Sequence, residues 1–334
     1  VLLPELRVGG MQIFRTDAFD TLGKILPRAT EIASRISVIY VALTLICALC
    51  YIAAGMGAFD ATVHAMTTIA TGGFANYDAS FGAFGPAVSY VATVFMILAA
   101  LPFVRFVQLS AGTARPFLQD RQIHVFLITA FTIVGIIATW NLWQQNAVNE
   151  GAVRAALFNT VSLMTGTGYA NADYGQWGSF AVAVLFFTGL IGGCAGSTAC
   201  SIKVFRYQLL FASIKAQLHK TRSPHGIFTP RYAGRPVGED VLNSVMSFFM
   251  FFVVTLGVLA VALAMTGLDF VTALSGAATA LANIGPGFGD QIGPSGNFAG
   301  LNDTANWLLA AAMLIGRREL MAVYVIFTIQ FWRA

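Results

Sequence analysis

Charge is what this sequence has least of. Only 10% of its 334 residues are Asp, Glu, Lys or Arg, against about a quarter in a soluble domain, and 57% are hydrophobic. That balance excludes an ordinary water-soluble globule and implies a chain built to sit in lipid. Cysteine and histidine are scarce too, at four residues each. Cys47, Cys50, Cys194 and Cys200 lie in apolar or Gly-rich surroundings without metal-ligand spacing to a histidine, so they read as small buried residues. The Cys47-x-x-Cys50 pair falls inside an apolar run, which argues against a redox role. No cleavable signal peptide is evident, and Val1 stands close to basic residues, a start expected of a truncated chain.

What the sequence does have is long apolar runs. Residues 37–56, 87–109, 124–143, 241–265 and 307–327 are the clearest. Each approaches the ~20 residues that carry a helix across ~30 Å of hydrocarbon. Helices are the expected spanning element, because a helix satisfies its backbone groups within one segment. The short alternating segments of a β-barrel are not seen. The fold class predicted is therefore an all-α polytopic membrane protein.

Charge then sets the orientation. Connections with Arg7, Arg15, Lys24, Arg28 and Arg35, then Arg115 and Arg121, then residues 203–235, hold nearly all the Lys and Arg. The positive-inside rule places them in the cytoplasm. The opposite connections carry Asp60, Asp78, Glu150, Asp173, Asp269, Asp290 and Asp303 against one base, Arg154. Singly each acid reads equally well as a solvated loop residue. Together they make an acidic outward rim that would concentrate cations.

One unit recurs three times: a span, a shorter segment, a Gly-centred polar turn, an acid-bearing loop and another span. The short segments and turns are "FDATVHAMTTIA" with "TGGF", "GAVRAALFNTVSLM" with "TGTGY", and "LDFVTALSGAATALA" with "NIGPGFG". Each segment is too short to cross, so a re-entrant half-helix is expected. A half-helix that returns as extended chain can point backbone carbonyls into an aqueous pore, where they replace the hydration shell of a cation. Glycine suits such a turn because a Cβ disfavours the backbone angles required. Thr71 and Thr167 would add side-chain oxygens. Taken alone, Gly73 or Gly287 could equally be a helix cap or a packing residue. Phe74 and Tyr169 are expected to pack the turns against neighbouring helices, and His64 to be a packing residue.

These residues, with "LRVGGMQIFR" (6–15), "MTTIATGGF" (66–74), "IGGCAGST" (191–198) and "GRRE" (316–319), resemble a known family. It is the potassium-translocating membrane subunit of the Trk/Ktr/HKT superfamily, TrkH type. The closing "FTIQFWR" also resembles the family's C-terminal end. The resemblance implies four M1-P-M2 units (span, re-entrant pore half-helix, span) around a central ion pore. Residues 1–35 correspond to the end of the first unit's inner helix and a connection; 36–115, 116–235 and 236–334 are the units that follow. The first unit's own pore loop is then expected outside this chain.

The same resemblance assigns a K⁺ filter to Ala70, Thr71 and Gly72, to Gly166, Thr167 and Gly168, and to Asn283, Ile284 and Gly285. The three turns differ from one another, which would loosen selectivity. It assigns an intramembrane gate to the segment with Gly192, Gly193, Gly196, Ser197, Thr198 and Ser201, where small residues interrupt an apolar run. Close helix packing is the alternative for that segment. The family usually carries more glycine where this chain has Ala199 and Cys200. Arg317 matches a pore-facing arginine acting as an electrostatic barrier. Arg318 departs from the family's apolar residue and would pair with Glu319 or snorkel.

The function implied is potassium uptake across the bacterial cytoplasmic (inner) membrane, channel-like or coupled to H⁺ or Na⁺, with the filter loops facing outward. No covalent chemistry and no covalently bound cofactor are expected; K⁺ is the transported ion. The expected partners are membrane lipid, a second copy of the chain in a homodimer, and a cytosolic nucleotide-binding regulatory subunit of the TrkA type docking on residues 203–235. Nucleic acid is not expected. Two rivals stand beside this reading. A carrier for another small cation or solute with discontinuous helices would also use the outward acids. An intramembrane aspartyl protease would use Asp78 and Asp290 as a proton-sharing pair, but both fall in polar loops with several spans between them.

Overall fold

The computed structural model describes residues 29–145, 149–289, 291–317, 323–324 and 332. The basic stretch 1–28, Asp290, Arg318 and Glu319 lie outside the described residues. Of the three units expected within the chain, numbered from here in chain order, the first comprises α1 (Ala29–Ala53), the short α2 (Ala58–Ile69), α3 (Pro86–Ala99) and α4 (Phe103–Ser110). One helical turn, α5 (Arg115–Leu118), leads to the second: α6 (Arg121–Gln145), α7 (Glu150–Thr165), α8 (Ser179–Ile191) and α9 (Val204–Arg222). A two-residue hairpin, β1 (Arg231–Tyr232) against β2 (Arg235–Pro236), follows; Ala233 and Gly234 turn it at positive φ, as tight hairpins require. The third unit is α10 (Glu239–Met265), α11 (Phe270–Ala282) and α12 (Asp303–Arg317).

Among the described residues, α1, α6 and α10 are the helices long and apolar enough to cross a membrane singly. At 1.5 Å per residue, 25 to 27 residues reach about 38–40 Å, beyond the hydrocarbon core. Several of their hydroxyls bond back within the helix: Ser37 Oγ donates to Ala33 O at 2.9 Å and Thr44 Oγ1 to Tyr40 O at 2.8 Å. Val38, Leu45 and Leu49 of α1, and Met250, Val253 and Val258 of α10, are exposed. An apolar face of that extent is at home against acyl chains. The chain is an all-α, multi-pass membrane protein.

The three short segments expected to dip and return are helices α2, α7 and α11. Each packs on the span before it, α2 on α1, α7 on α6 and α11 on α10. Each unit's second span also packs on the next unit's short helix: α3 against α7, and α8 against α11. The units therefore follow one another in the same sense, and their hydrophobic cores interlock. Phe158 and Tyr169 of the second unit belong to the core of the first, and Ala282, Ile284 and Phe288 of the third to the core of the second.

The run 87–109, expected as one span, is instead bent by 90° between α3 and α4. Pro102 has no N–H to continue the helix, and the helical region is disfavoured for the residue before a proline. A bend at such a depth leaves carbonyls without partners. Here they find them in the interrupted segment of the second unit. Ala100 O accepts from Cys194 N at 2.9 Å, Ala99 O accepts from Thr198 Oγ1 at 3.0 Å, and Phe103 N donates to Gly196 O at 2.9 Å. Two broken helices thus complete each other's hydrogen bonding.

Candidate functional site: three glycine turns above an intramembrane loop

Each short helix starts at an acidic or capped end and is followed, at its C-cap or one residue beyond, by a left-handed residue. Asp60 lies in the first turn of α2 and Glu150 in that of α7, while Asp269 caps α11 by accepting from Val271 N and Thr272 N at 3.1 and 3.2 Å. Negative groups are favoured at helix N-termini, so these acids have a structural role beside any effect on cations. The hydrogen bond from Asn76, helped by one from Tyr77, holds the Asp60 carboxyl below its usual value. Hydrogen bonds from Thr272 and Val271 do the same for Asp269, the Thr272 hydroxyl contributing most. Arg154, the base expected among these acids, pairs with Glu150 at 3.0 Å.

At the other ends, Thr71, Gly166 and Asn283 adopt φ of 49°, 73° and 55°. Two residues on, Gly73, Gly168 and Gly285 again have positive φ. The hydrogen bonds repeat as well. Gly72 N donates to Thr67 O, Thr167 N to Ser162 O and Ile284 N to Thr279 O, at 2.7 to 2.9 Å. A hydroxyl on each helix donates to the carbonyl closing its turn: Thr67 to Phe74 O at 2.9 Å, Ser162 to Tyr169 O at 2.7 Å and Thr279 to Pro286 O at 3.0 Å. This common frame corrects the register of the first turn. Thr71, Gly72 and Gly73 match Gly166, Thr167, Gly168 and Asn283, Ile284, Gly285, whereas Ala70 is the right-handed cap of α2. Gly73, not Gly72, is the counterpart of Gly168.

The turns meet in backbone contact. A Cβ on Gly73 would fall 1.9 Å from Thr167 O, and one on Gly168 only 1.7 Å from Ile284 O. No side chain fits at either place. Gly285 has no atom within 4 Å of its Cβ position. It lines a cavity of about 1100 Å³ that also reaches Thr71, Gly73, Phe74, Asp78 and Arg317. Phe74, expected to pack, is 75% exposed because the first turn faces that open side; Tyr169, between two turns, is fully buried as expected. Gly287 is a packing glycine, its Cβ position 2.5 Å from Ile292 Cδ1. His64 is buried, with Nδ1 against Asp60 O at 2.7 Å and its ring between Phe81 and Phe84.

Below the turns lies the interrupted segment, residues 192–203, with Gly192, Gly196, Ser201 and Lys203 at positive φ. The Cβ position of Gly166 is 3.7 Å from Cys200 N, which places this loop against the start of the second turn. Gly193 touches the bend of the first unit, its Cβ position 3.0 Å from Ala100 O. Neither Ala199 nor Cys200 is at positive φ, so neither position requires glycine. Inside the loop, Ser197 Oγ donates to Cys194 O at 2.6 Å and Ser201 Oγ to Gly189 O at 3.0 Å. Ala195 N donates to Gln122 Oε1 at 2.9 Å. Thr71 Oγ1 donates to Thr198 O at 2.9 Å, and Thr167 Oγ1 shares a proton with Thr165 Oγ1 at 2.8 Å. Both hydroxyls thus brace the fold. Arg317 lines the cavity and donates from Nη1 to Cys200 Sγ, and Gly316 lets α12 pass Leu281 O, 1.9 Å from its Cβ position.

The structure brings the three turns, the interrupted loop and Arg317 together. Asp78 lies on the loop after the first turn and lines the cavity, and its supposed partner Asp290 is outside the described residues. What sequence reasoning missed are the hydroxyls of Thr67, Ser162 and Thr279 and the mutual repair of the two breaks. The hydroxyls had a signal: each precedes the residue closing its turn by seven positions in all three units.

A family model described as "TrkH: Cation transport protein" matches residues 1–333. The Trk system potassium uptake protein TrkI of Halomonas elongata is 42% identical over 334 residues, covering 99% of this chain and 68% of TrkI. The Trk system potassium uptake protein TrkH of Escherichia coli (strain K12) is 35% identical over 338 residues, with 99% and 69% covered. The crystal structure of the potassium transporter TrkH from Vibrio parahaemolyticus matches with a TM-score of 0.86 at 32% identity, over 97% of this chain and 70% of that one.

Proposed function

The chain belongs to the TrkH family of cation transport proteins, and on that premise we propose that it takes up potassium through a filter made by its three glycine turns. The observation that carries this reading is their backbone contact at the C-terminal ends of three half-helices. A helix C-terminus carries partial negative charge, and three aimed at one place favour a cation there. Backbone carbonyls beside it can replace a hydration shell. The filter residues are Thr71, Gly72 and Gly73, Gly166, Thr167 and Gly168, and Asn283, Ile284 and Gly285. A fourth loop-bearing element closes the ring on the side where Gly285 and the first turn face the cavity.

Residues 192–203 serve as the gate beneath the filter, and Arg317 places a positive charge in the path. Membership of a transport family sets aside the protease reading. The half-helices and their N-terminal acids face outward across the bacterial inner membrane, with α9 in the cytoplasm. Lys215, Lys220 and Arg222 are exposed on α9, a surface suited to a cytosolic nucleotide-binding subunit of the TrkA type. The protein works as a homodimer. Transfer is channel-like or coupled to H⁺ or Na⁺; a protonophore that abolishes uptake at fixed membrane potential would mark H⁺ coupling. The test of function is growth on low potassium of cells lacking their own uptake systems. Rescue supports the proposal, and failure despite normal membrane levels refutes it.

A further inference from the structure

We propose that Tyr169 is a positioning residue that couples the first two filter turns and thereby sets the preference for K⁺ over Na⁺; this rests on reading the turns as a potassium filter. Its carbonyl closes the second turn by accepting from Ser162 at 2.7 Å. Its side chain leaves that turn, passes Phe81 with ring centroids 4.3 Å apart, and ends on the first unit's half-helix. There the hydroxyl oxygen lies against Thr67 Oγ1 and 3.1 Å from His64 O, and its single proton goes to one or the other. Thr67 is the hydroxyl that closes the first turn on Phe74 O, at 2.9 Å. One tyrosine therefore joins Ser162, its own turn, Thr67 and the neighbouring turn. When Tyr169 turns its proton to Thr67 and Thr67 donates to Phe74, each bond polarises the next.

The third turn is built differently. Thr279 Oγ1 donates to Pro286 O and accepts from Gly285 N, both at 3.0 Å, so that turn closes on itself. Pro286 stands where the second turn has Tyr169 and carries no hydroxyl to reach a neighbour. Coupling through a side-chain hydroxyl thus resides between the first two turns, while the second and third meet through backbone. A filter distinguishes ions of similar charge by how firmly its oxygens keep their spacing, and groups that merely hold them set that firmness.

The test is Tyr169→Phe in the full-length protein, which keeps the buried ring and removes the hydroxyl. Uptake of K⁺ and of Na⁺ is measured separately in proteoliposomes. The ratio should fall about fivefold, the factor of one ordinary hydrogen bond, with membrane abundance and thermal midpoint near wild type. Ser162→Ala should lower the ratio similarly, and Ser162→Thr should restore it, which keeps the test alive if Tyr169→Phe accumulates poorly. A selective wild type with unchanged ratios in Tyr169→Phe or Ser162→Ala would overturn this inference alone. A wild type that does not prefer K⁺ would overturn both this inference and the filter it rests on.

Discussion

The glycine turns and the loop beneath them are both irregular backbone in a membrane protein, yet they are held in opposite ways. Each turn is bonded mainly to its own half-helix, through an N–H five residues on and a carbonyl seven residues on. The loop at 192–203 relies on groups from elsewhere: Ala99 O, Ala100 O, Phe103 N, Gln122 and Thr71. A locally closed turn keeps its shape when its surroundings move. A loop held by borrowed partners moves only if those partners are exchanged, and this suits a gate.

The largest effect expected is from Gly168→Ala. Its Cβ would meet Ile284 O at 1.7 Å at a positive φ, and forced overpacking costs about 1–3 kcal/mol, up to about a hundredfold in a rate. Potassium uptake should collapse while membrane abundance falls far less. Gly285→Ala carries only the backbone strain of its φ of 115°, with an open Cβ position, and should be milder; a larger loss than in Gly168→Ala would argue against contact between turns. Arg317→Gln comes next. A unit charge about 4 Å from a cation costs about 1–4 kcal/mol, so flux through reconstituted protein should rise roughly tenfold with expression little changed. A loss of expression with unchanged flux would make Arg317 a folding residue.

Thr198→Val should act on the loop alone, removing the hydroxyl bond to Ala99 O. A net loss of about 0.5–1.5 kcal/mol should raise the open population about two- to tenfold without altering ion preference. The smallest effect belongs to the acids at the half-helix N-termini. Asp269→Ala removes the cap of α11 and should cost about 1 kcal/mol of stability, read as a lower unfolding midpoint. The Asp269 carboxyl is held below its usual value, so its contribution is complete above the ordinary carboxylate pKa. It is lost as pH falls through the lowered value, and Asp269→Ala should be insensitive to that step.

Much of this was legible in the sequence because it repeats. The half-helices α2, α7 and α11 fall where the short segments predicted them, and the glycine turns follow at once. The register of the first turn was not, because "TGGF" offers two adjacent glycines and only the bonding of Thr67 decides between them. The bend at Pro102 was hidden inside an apolar run, since hydropathy does not report direction. Pro102 marked where a break could fall, but the partners of that break lie about a hundred residues away at Cys194, Gly196 and Thr198. The roles of Thr71 and Thr167 also needed three dimensions, because a threonine beside a filter glycine can face the ion or brace the fold.

The central claim, that the turns act as one potassium filter through direct backbone contact, is tested most directly by the ratio of K⁺ to Na⁺ uptake in proteoliposomes for wild type and Gly168→Ala. The account predicts a clear K⁺ preference in wild type and its loss, with most of the uptake, in the variant. Equal handling of the two ions by wild type, or an unchanged ratio and rate in Gly168→Ala, would contradict it.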